Sequence, residues 1–217
     1  MLNVVIIIAA AVLLIGHLYF EKTDCLKGKL PTKTTLSCLF IVTVLVQPHP
    51  VAGFYYILLA GLIFCLGGDI FLALPGQRMF LFGLVSFLLG HVFYVIGFFY
   101  LAAVNSWSAM CMVAALIVSG AVFLWLRPHL GTMLIPVAVY IVVISIMLIG
   151  AGTVLGDDGV NSAGRITVFI GAVSFYISDL FVARDRFLKP QFANRLIGLP
   201  LYYGGQFLLA FSVGLIK

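Results

Sequence analysis

Apolar residues run almost unbroken for about twenty positions at a time, the length a helix needs to cross a bilayer, and polar residues gather in short breaks between the runs. Eight spans can be drawn, at roughly 2–20, 34–48, 52–74, 80–101, 107–126, 131–151, 164–183 and 196–216. Turn-forming residues mark the breaks: Pro48-His49-Pro50, Pro75-Gly76, Asn105-Ser106, Arg127-Pro128, Gly156-Asp157-Asp158-Gly159 and Lys189-Pro190. The runs are continuous instead of alternating every second residue, so they predict helices and not barrel strands. The expected fold is an all-α membrane protein, a bundle of about eight transmembrane helices in one integral membrane domain over 1–217.

Composition agrees with that pattern. Hydrophobic residues make up 64% of the chain and charged residues 9%, with a mean hydropathy of +1.24; soluble domains carry roughly 25% charged residues. The first run, Leu2 to Phe20, lacks a basic segment before it and is followed by Lys22, Lys27 and Lys29, so it reads as a retained span and not a cleaved leader. Ten of the twelve Lys and Arg residues fall in the odd-numbered connections; only Arg165 and Lys217 do not. The positive-inside rule then places the odd connections in the cytoplasm and both termini outside, with the bacterial inner membrane as the expected location. The cysteines Cys25, Cys38, Cys65 and Cys111 show no metal or disulfide spacing and read as small apolar fillers.

Two carboxylates break the apolar runs. Asp69 lies in Gly68-Asp69-Ile70-Phe71-Leu72-Ala73 and Asp179 in Ser178-Asp179-Leu180-Phe181-Val182-Ala183. An ionisable group in hydrocarbon costs about 2.5–3.5 kcal/mol on insertion scales, so such residues face interior cavities and serve function. In the expected topology spans 3 and 7 run in the same direction, and both acids lie about 6–8 Å inside the cytoplasmic boundary. Each is followed by a short basic turn and a returning span with polar groups near its middle: His91 and Tyr94 in span 4, and Tyr202, Tyr203 and Gln206 in span 8. The halves therefore predict a parallel four-helix repeat, with spans 3 and 7 adjoining and the acids across one polar cavity. Gly83, Gly90 and Gly97 recur every seven residues and predict a close helix contact beside His91.

Other residues are weaker candidates. Tyr94, Tyr202 and Tyr203 suit amphipathic packing, Gln206 a polar contact, and Tyr140 the core. Ser174 and Ser178 suit bonds to their own helix. Asp179, one turn from Arg184, has an interfacial ion pair as its structural alternative. Arg78, Arg127, Arg184, Arg186, Lys189 and Arg195 crowd the cytoplasmic rim, where topology explains them and a lipid phosphate would suit them. No G-x-S-x-G elbow, H-E-x-x-H or Walker loop is present.

The stretch from Gly68-Asp69 through Arg78-Met79-Phe80-Leu81-Phe82-Gly83-Leu84-Val85-Ser86-Phe87 to Gly90-His91-Val92-Phe93-Tyr94 resembles the central pattern of the YhhN family of membrane proteins. So does Gly171-Ala172-Val173-Ser174-Phe175-Tyr176-Ile177-Ser178-Asp179, with Phe187, Tyr203 and Gln206 downstream and Pro136 to Tyr140 and Met147 upstream. The family includes lysoplasmalogenases, which hydrolyse the vinyl ether of a lysoplasmalogen to a fatty aldehyde and a glycerophospho-base. The resemblance implies that activity, Asp69 and Asp179 as catalytic residues, and a lysophospholipid and the bilayer as partners, with no nucleic acid. His91, Tyr94, Tyr203, Gln206, Arg78, Arg184 and Arg186 are the candidates for binding substrate. One departure lies near span 2, where the family usually shows Lys followed directly by Pro; here the order is Pro31-Thr32-Lys33, and no role is carried over to Lys33.

The chemistry suits two acids. Protonating the outer alkene carbon of a vinyl ether creates an oxocarbenium ion, water adds, and the hemiacetal collapses to aldehyde and alcohol. Two carboxyls can divide acid and stabilising roles, as in glycosidases, with no metal or cofactor. The rival readings are a small lipid or proton-coupled transporter using the same acids, and a structural lipid-binding protein with static ion pairs.

Overall fold

The computed structural model describes residues 1–217 as eight long helices with no strand: α1 (Leu2–Lys22), α2 (Leu26–Val46), α3 (Ala52–Ala73), α4 (Gln77–Leu101), α5 (Ser106–Leu126), α6 (Leu134–Leu155), α7 (Ser162–Ala183) and α8 (Phe192–Leu215). All eight are long and apolar enough to cross a membrane. Two short 3₁₀ turns join α5 to α6, and a π-turn at Arg184–Leu188 extends α7.

Local chemistry sets the ends. Asp24 adopts φ 53° after α1, and the Cys25 N–H closes back on the Phe20 carbonyl at 3.1 Å, a left-handed C-terminal cap. Asn105 caps α5 by accepting from the N–H groups of Trp107 and Ser108, and its amide donates to the Thr153 carbonyl at 2.8 Å, fixing α5 to α6. The second helix begins at Leu26, eight residues before the boundary expected from hydropathy. Lys27, Lys29, Pro31 and Lys33 read as connection, but Pro31 falls early in the helix, where the missing N–H costs little, and Lys33 is buried in the bundle.

Six helices close into a ring in the order α2, α3, α4, α6, α7, α8 and back to α2, with α1 outside against α2 and α8, and α5 outside against α6. The packing repeats: α3 on α4 matches α7 on α8, α2 on α3 matches α6 on α7, and α4 on α6 matches α8 on α2. The expected neighbouring of spans 3 and 7 is not found. They share no extended packing face, because α4 with α6 on one side and α8 with α2 on the other separate them around the ring.

Glycines reveal the repeat at atomic detail. A Cβ at Gly90 would lie 3.0 Å from the Gly61 carbonyl oxygen, and one at Gly61 would lie 3.1 Å from that of Gly90. In the second half Gly171 and Gly205 meet reciprocally at 3.1 and 2.8 Å. Gly61, Asp69 and Gly171, Asp179 are matched along α3 and α7; Gly83, Gly90 and Gly198, Gly205 are matched along α4 and α8 with five extra residues between, the length of the π-turn. That register sets Phe87 opposite Tyr202 and His91 opposite Gln206. Since backbone faces backbone, Gly205→Ala should cost about 1–3 kcal/mol by overpacking. Gly16→Ala, with nothing within 4 Å of the added methyl, should cost nothing; thermal unfolding in detergent compares the two.

The halves are not identical. α1 packs against α8, but its counterpart α5 has no extended face on α4. The second half is therefore looser beside α4.

Candidate functional site

A cavity of about 720 Å³ opens at the end of the bundle that carries the 23–25, 74–76 and 184–191 connections. Asp69 and Asp179 both line it, one from α3 and one from α7, on opposite walls of the helix ring. Between them Phe87 and Tyr202, the matched pair of the two halves, meet edge to face at 5.7 Å, and Phe175 packs edge-on against Tyr202 at 5.2 Å. Behind this floor Tyr94, Phe98 and Tyr203 are fully buried, which closes the ring on the side away from the mouth.

The acids have unlike surroundings. Asp69 is 1% exposed, and its Oδ2 accepts 2.5 Å hydrogen bonds from the hydroxyls of Ser37 and Tyr202. Its Oδ1 lies 3.2 Å from the Lys33 ammonium, close enough for an ion pair though not aligned as a hydrogen bond. Lys33 and Ser37 stand one turn apart on α2, and Ser37 also donates to the Lys33 carbonyl at 3.0 Å. Asp179 is only half-buried, opens onto the cavity, and takes one hydrogen bond, from the Tyr140 hydroxyl at 2.6 Å. No cation pairs with it. Arg184, one turn on, instead donates to Asn194 at 3.1 Å, so the interfacial ion pair is not formed.

Behind Asp69 the polar groups connect. Tyr94 donates to Gln206 at 2.7 Å, and the Gln206 amide donates to the Tyr202 hydroxyl at 3.3 Å, which in turn donates to Asp69. Tyr203 donates to the Lys33 carbonyl at 3.3 Å. On the other side His91 is fully buried, its Nδ1 2.7 Å from the Phe87 carbonyl oxygen. Its ring lies 5.3 Å from Tyr140, and its Nε2 has no partner. His91, Tyr94, Tyr203 and Gln206 thus support the walls and do not line the cavity; Arg78 and Arg184 also lie off the lining. Arg186 does reach it. The π-turn projects this residue to the rim, where its guanidinium covers Phe80 at 4.5 Å.

Lys29, Arg195, Glu21 and Asp185 complete the mouth. Arg195 contacts Glu21 at 2.5 Å and Asp185 at 3.3 Å, and Lys29 lies 3.4 Å from Glu21, so α1, α2, the π-turn and α8 are tied at the rim. Exposed Asp24 takes a hydrogen bond from Lys29, which, with the ammonium charge, holds its carboxyl below the usual range.

Three contributors to the acids' environment were not legible as such in the sequence. In the sequence Lys33 reads as part of the first connection, Tyr202 as packing and Tyr140 as core. The one available signal was the four-residue spacing of Lys33 with Ser37 and of Tyr202 with Gln206, which puts each pair on one helix face.

Residues 28–213, from early α2 to near the end of α8, match the YhhN family. The bovine lysoplasmalogenase TMEM86A is 32% identical over 168 residues, covering 76% of this chain and 66% of the relative. A lysoplasmalogenase of Mycobacterium tuberculosis is 30% identical over 161 residues, 71% of this chain and 58% of the relative. The rat lysoplasmalogenase TMEM86B is 33% identical over 177 residues, 81% and 68% respectively. The chain thus spans less than two thirds of the bovine and mycobacterial relatives. No solved structure gives a significant match. The matched stretch contains both carboxylates, nearly all of the helix ring and most of the cavity lining, and the chain belongs to the YhhN family.

Proposed function

We propose that this protein hydrolyses the vinyl ether of a lysoplasmalogen, with Asp179 and Asp69 as its catalytic pair. The observation that carries the reading is the inequality of two carboxylates on one cavity: Asp69 faces Lys33, whereas Asp179 has only the Tyr140 hydroxyl. The relatives named lysoplasmalogenase supply the substrate class.

Asp179, with no cation to hold it as an anion, is the proton donor. Its proton goes to the outer alkene carbon, the π electrons form that C–H bond, and the inner carbon becomes an oxocarbenium ion stabilised by the ether oxygen. Asp69, kept anionic by Lys33, faces the cation and orients water. Water adds to the inner carbon and loses a proton; the hemiacetal then breaks its bond to the glycerol oxygen, which takes a proton as the aldehyde leaves. One water is consumed and one proton is returned to Asp179. In a site lined by Phe80, Leu84 and Phe87 the field of Asp69 is poorly screened, and preorganised charge of this kind is a large catalytic term.

A transport reading would need a path through the bundle, and the buried aromatic layer behind Phe87 and Tyr202 gives it no support. Purified protein in detergent should release aldehyde from a lysoplasmalogen and leave the acyl ester of an ordinary lysophospholipid intact; no aldehyde from folded protein would refute the activity.

The orientation belongs to the same reading. With ten of twelve basic residues on the cavity's side of the membrane, the mouth faces the cytoplasm and both termini lie outside. In a background without native cysteines, a cysteine at position 157 should label from outside and one at position 27 should not. The reverse pattern would invert the topology.

A further inference from the structure

We infer that the cavity holds a single-chain lysophospholipid in one direction, its glycerophospho-base among α1, α2 and α8 and its hydrocarbon chain among α4, α5, α6 and α7. The inference rests on the proposed substrate class and adds to it the residues that set chain-length preference.

The broken repeat carries the argument. Corresponding helices of the two halves face the cavity with opposite chemistry. α1 and α2 present Glu21, Lys29 and Lys33 beside the single apolar Leu26, whereas their counterparts α5 and α6 present Val122, Leu126, Val137, Ile141 and Ile144 beside Ser119 and Tyr140. The apolar lobe lies in the looser half, where α5 has no extended face on α4 and both helices still contribute lining residues. An amphiphile in such a cavity has one favourable direction. Each methylene left in the charged half would forfeit burial, and a phosphate deep in the apolar half would be desolvated without partners, the one cation on that side, Arg186, standing at the rim over Phe80. Lys29 of α2 and Arg195 of α8 give the phosphate cations where these two helices meet at the rim, and Glu21 and Asp185 beside them suit a cationic base.

Ser119 and Tyr176 put one polar strip on the wall of the lobe. The Ser119 hydroxyl lies 2.6 Å from both the Tyr176 and Ser145 hydroxyls, linking α5, α7 and α6, and Ser145 also donates to the Ile141 carbonyl. These hydroxyls satisfy one another and so add no unpaired polar group to the lobe. Tyr176 lies three residues before Asp179 on α7, about 4.5 Å further along the helix, so a chain seated here passes the proton donor. This direction also suits the chemistry, because the carbon that takes the proton is the one nearer the chain and Asp179 is the acid on the chain side.

Equilibrium binding of uncleavable alkyl-ether lysophosphocholines, dodecyl and hexadecyl, tests the direction without any turnover. Val122→Phe and Ile144→Phe, made separately so that one misfolded variant does not decide the matter, fill the lobe. At about fourfold per methylene denied burial, hexadecyl binding should fall at least tenfold while dodecyl binding changes less than about threefold. Lys29→Gln should weaken both lipids by the same factor. Equal losses for the two chains in both Phe variants, or a chain-length change produced by Leu26→Phe on the charged side instead, would overturn the inference. Should the lipids bind as expected while wild-type protein releases no aldehyde, the proposed reaction fails and the binding direction stands.

Discussion

Asp179→Asn should lower aldehyde release from a lysoplasmalogen at least about a hundredfold, the lower range for loss of a general acid, with the protein still folded. Asn fills the same volume, and its carbonyl accepts the Tyr140 hydroxyl as the carboxyl oxygen does, so the one hydrogen bond this residue makes survives. What disappears is the proton. Because the acid acts in the transition state and not on the resting lipid, kcat should carry most of the loss and KM little. Asp69→Asn should be equally damaging for a different reason: the oxocarbenium ion forms with no anion facing it, and the Lys33 ammonium remains as an uncompensated positive charge. Arg186→Gln, at the rim, should act on KM. A folded Asp179→Asn variant with wild-type turnover would remove the acid from the account.

Lys33→Met should be the most destabilising single change at the site, by about 3–5 kcal/mol, the cost of leaving one member of a buried ion pair alone. Asp69 has 1% exposure, so water reaching it through the cavity replaces little of what the ammonium supplies, and the Ser37 and Tyr202 hydroxyls stabilise its charge without neutralising it. The sign of the coupling is the informative part. Adding Asp69→Asn to Lys33→Met should restore most of the lost thermal stability while activity stays absent, because two uncharged groups leave nothing to desolvate. Thermal unfolding of the two single variants and the double variant measures this coupling directly. If the double variant is the least stable of the three, the pair is not an ion pair in the folded protein.

The acids were the most legible feature of the sequence because an ionisable residue inside an apolar run has few innocent explanations. The Gly83, Gly90, Gly97 stripe was legible for a related reason: a seven-residue period keeps one helix face free of side chains, and α3 does lie against it. Lys33 was hidden by its company. Three lysines and a proline within seven residues look like a connection by any hydropathy window, and only the packing of α2 against α3 shows the last of them turning inward. Tyr140 and Tyr202 were hidden by ambiguity, since a tyrosine in a membrane helix is ordinarily an amphipathic packing residue. The repeat itself was readable, but its geometry was not. Matching phrases suggest that α3 and α7 adjoin, whereas a two-fold arrangement of six helices sets matched helices across the ring from one another, and that is what lets two similar carboxylates face one cavity from unlike walls. The charge difference between the halves was present in the sequence, yet it acquires meaning only when the ring brings α2 and α6 to the same cavity.

The most direct test of the central claim, that carboxylic acid chemistry at this cavity opens a vinyl ether by protonating carbon, is turnover by the purified protein in deuterium oxide with the aldehyde reduced as it forms. Mass spectrometry should find a single solvent deuterium on the carbon next to the former carbonyl carbon, delivered by Asp179. Aldehyde without that deuterium, or none released by folded protein, would contradict the account.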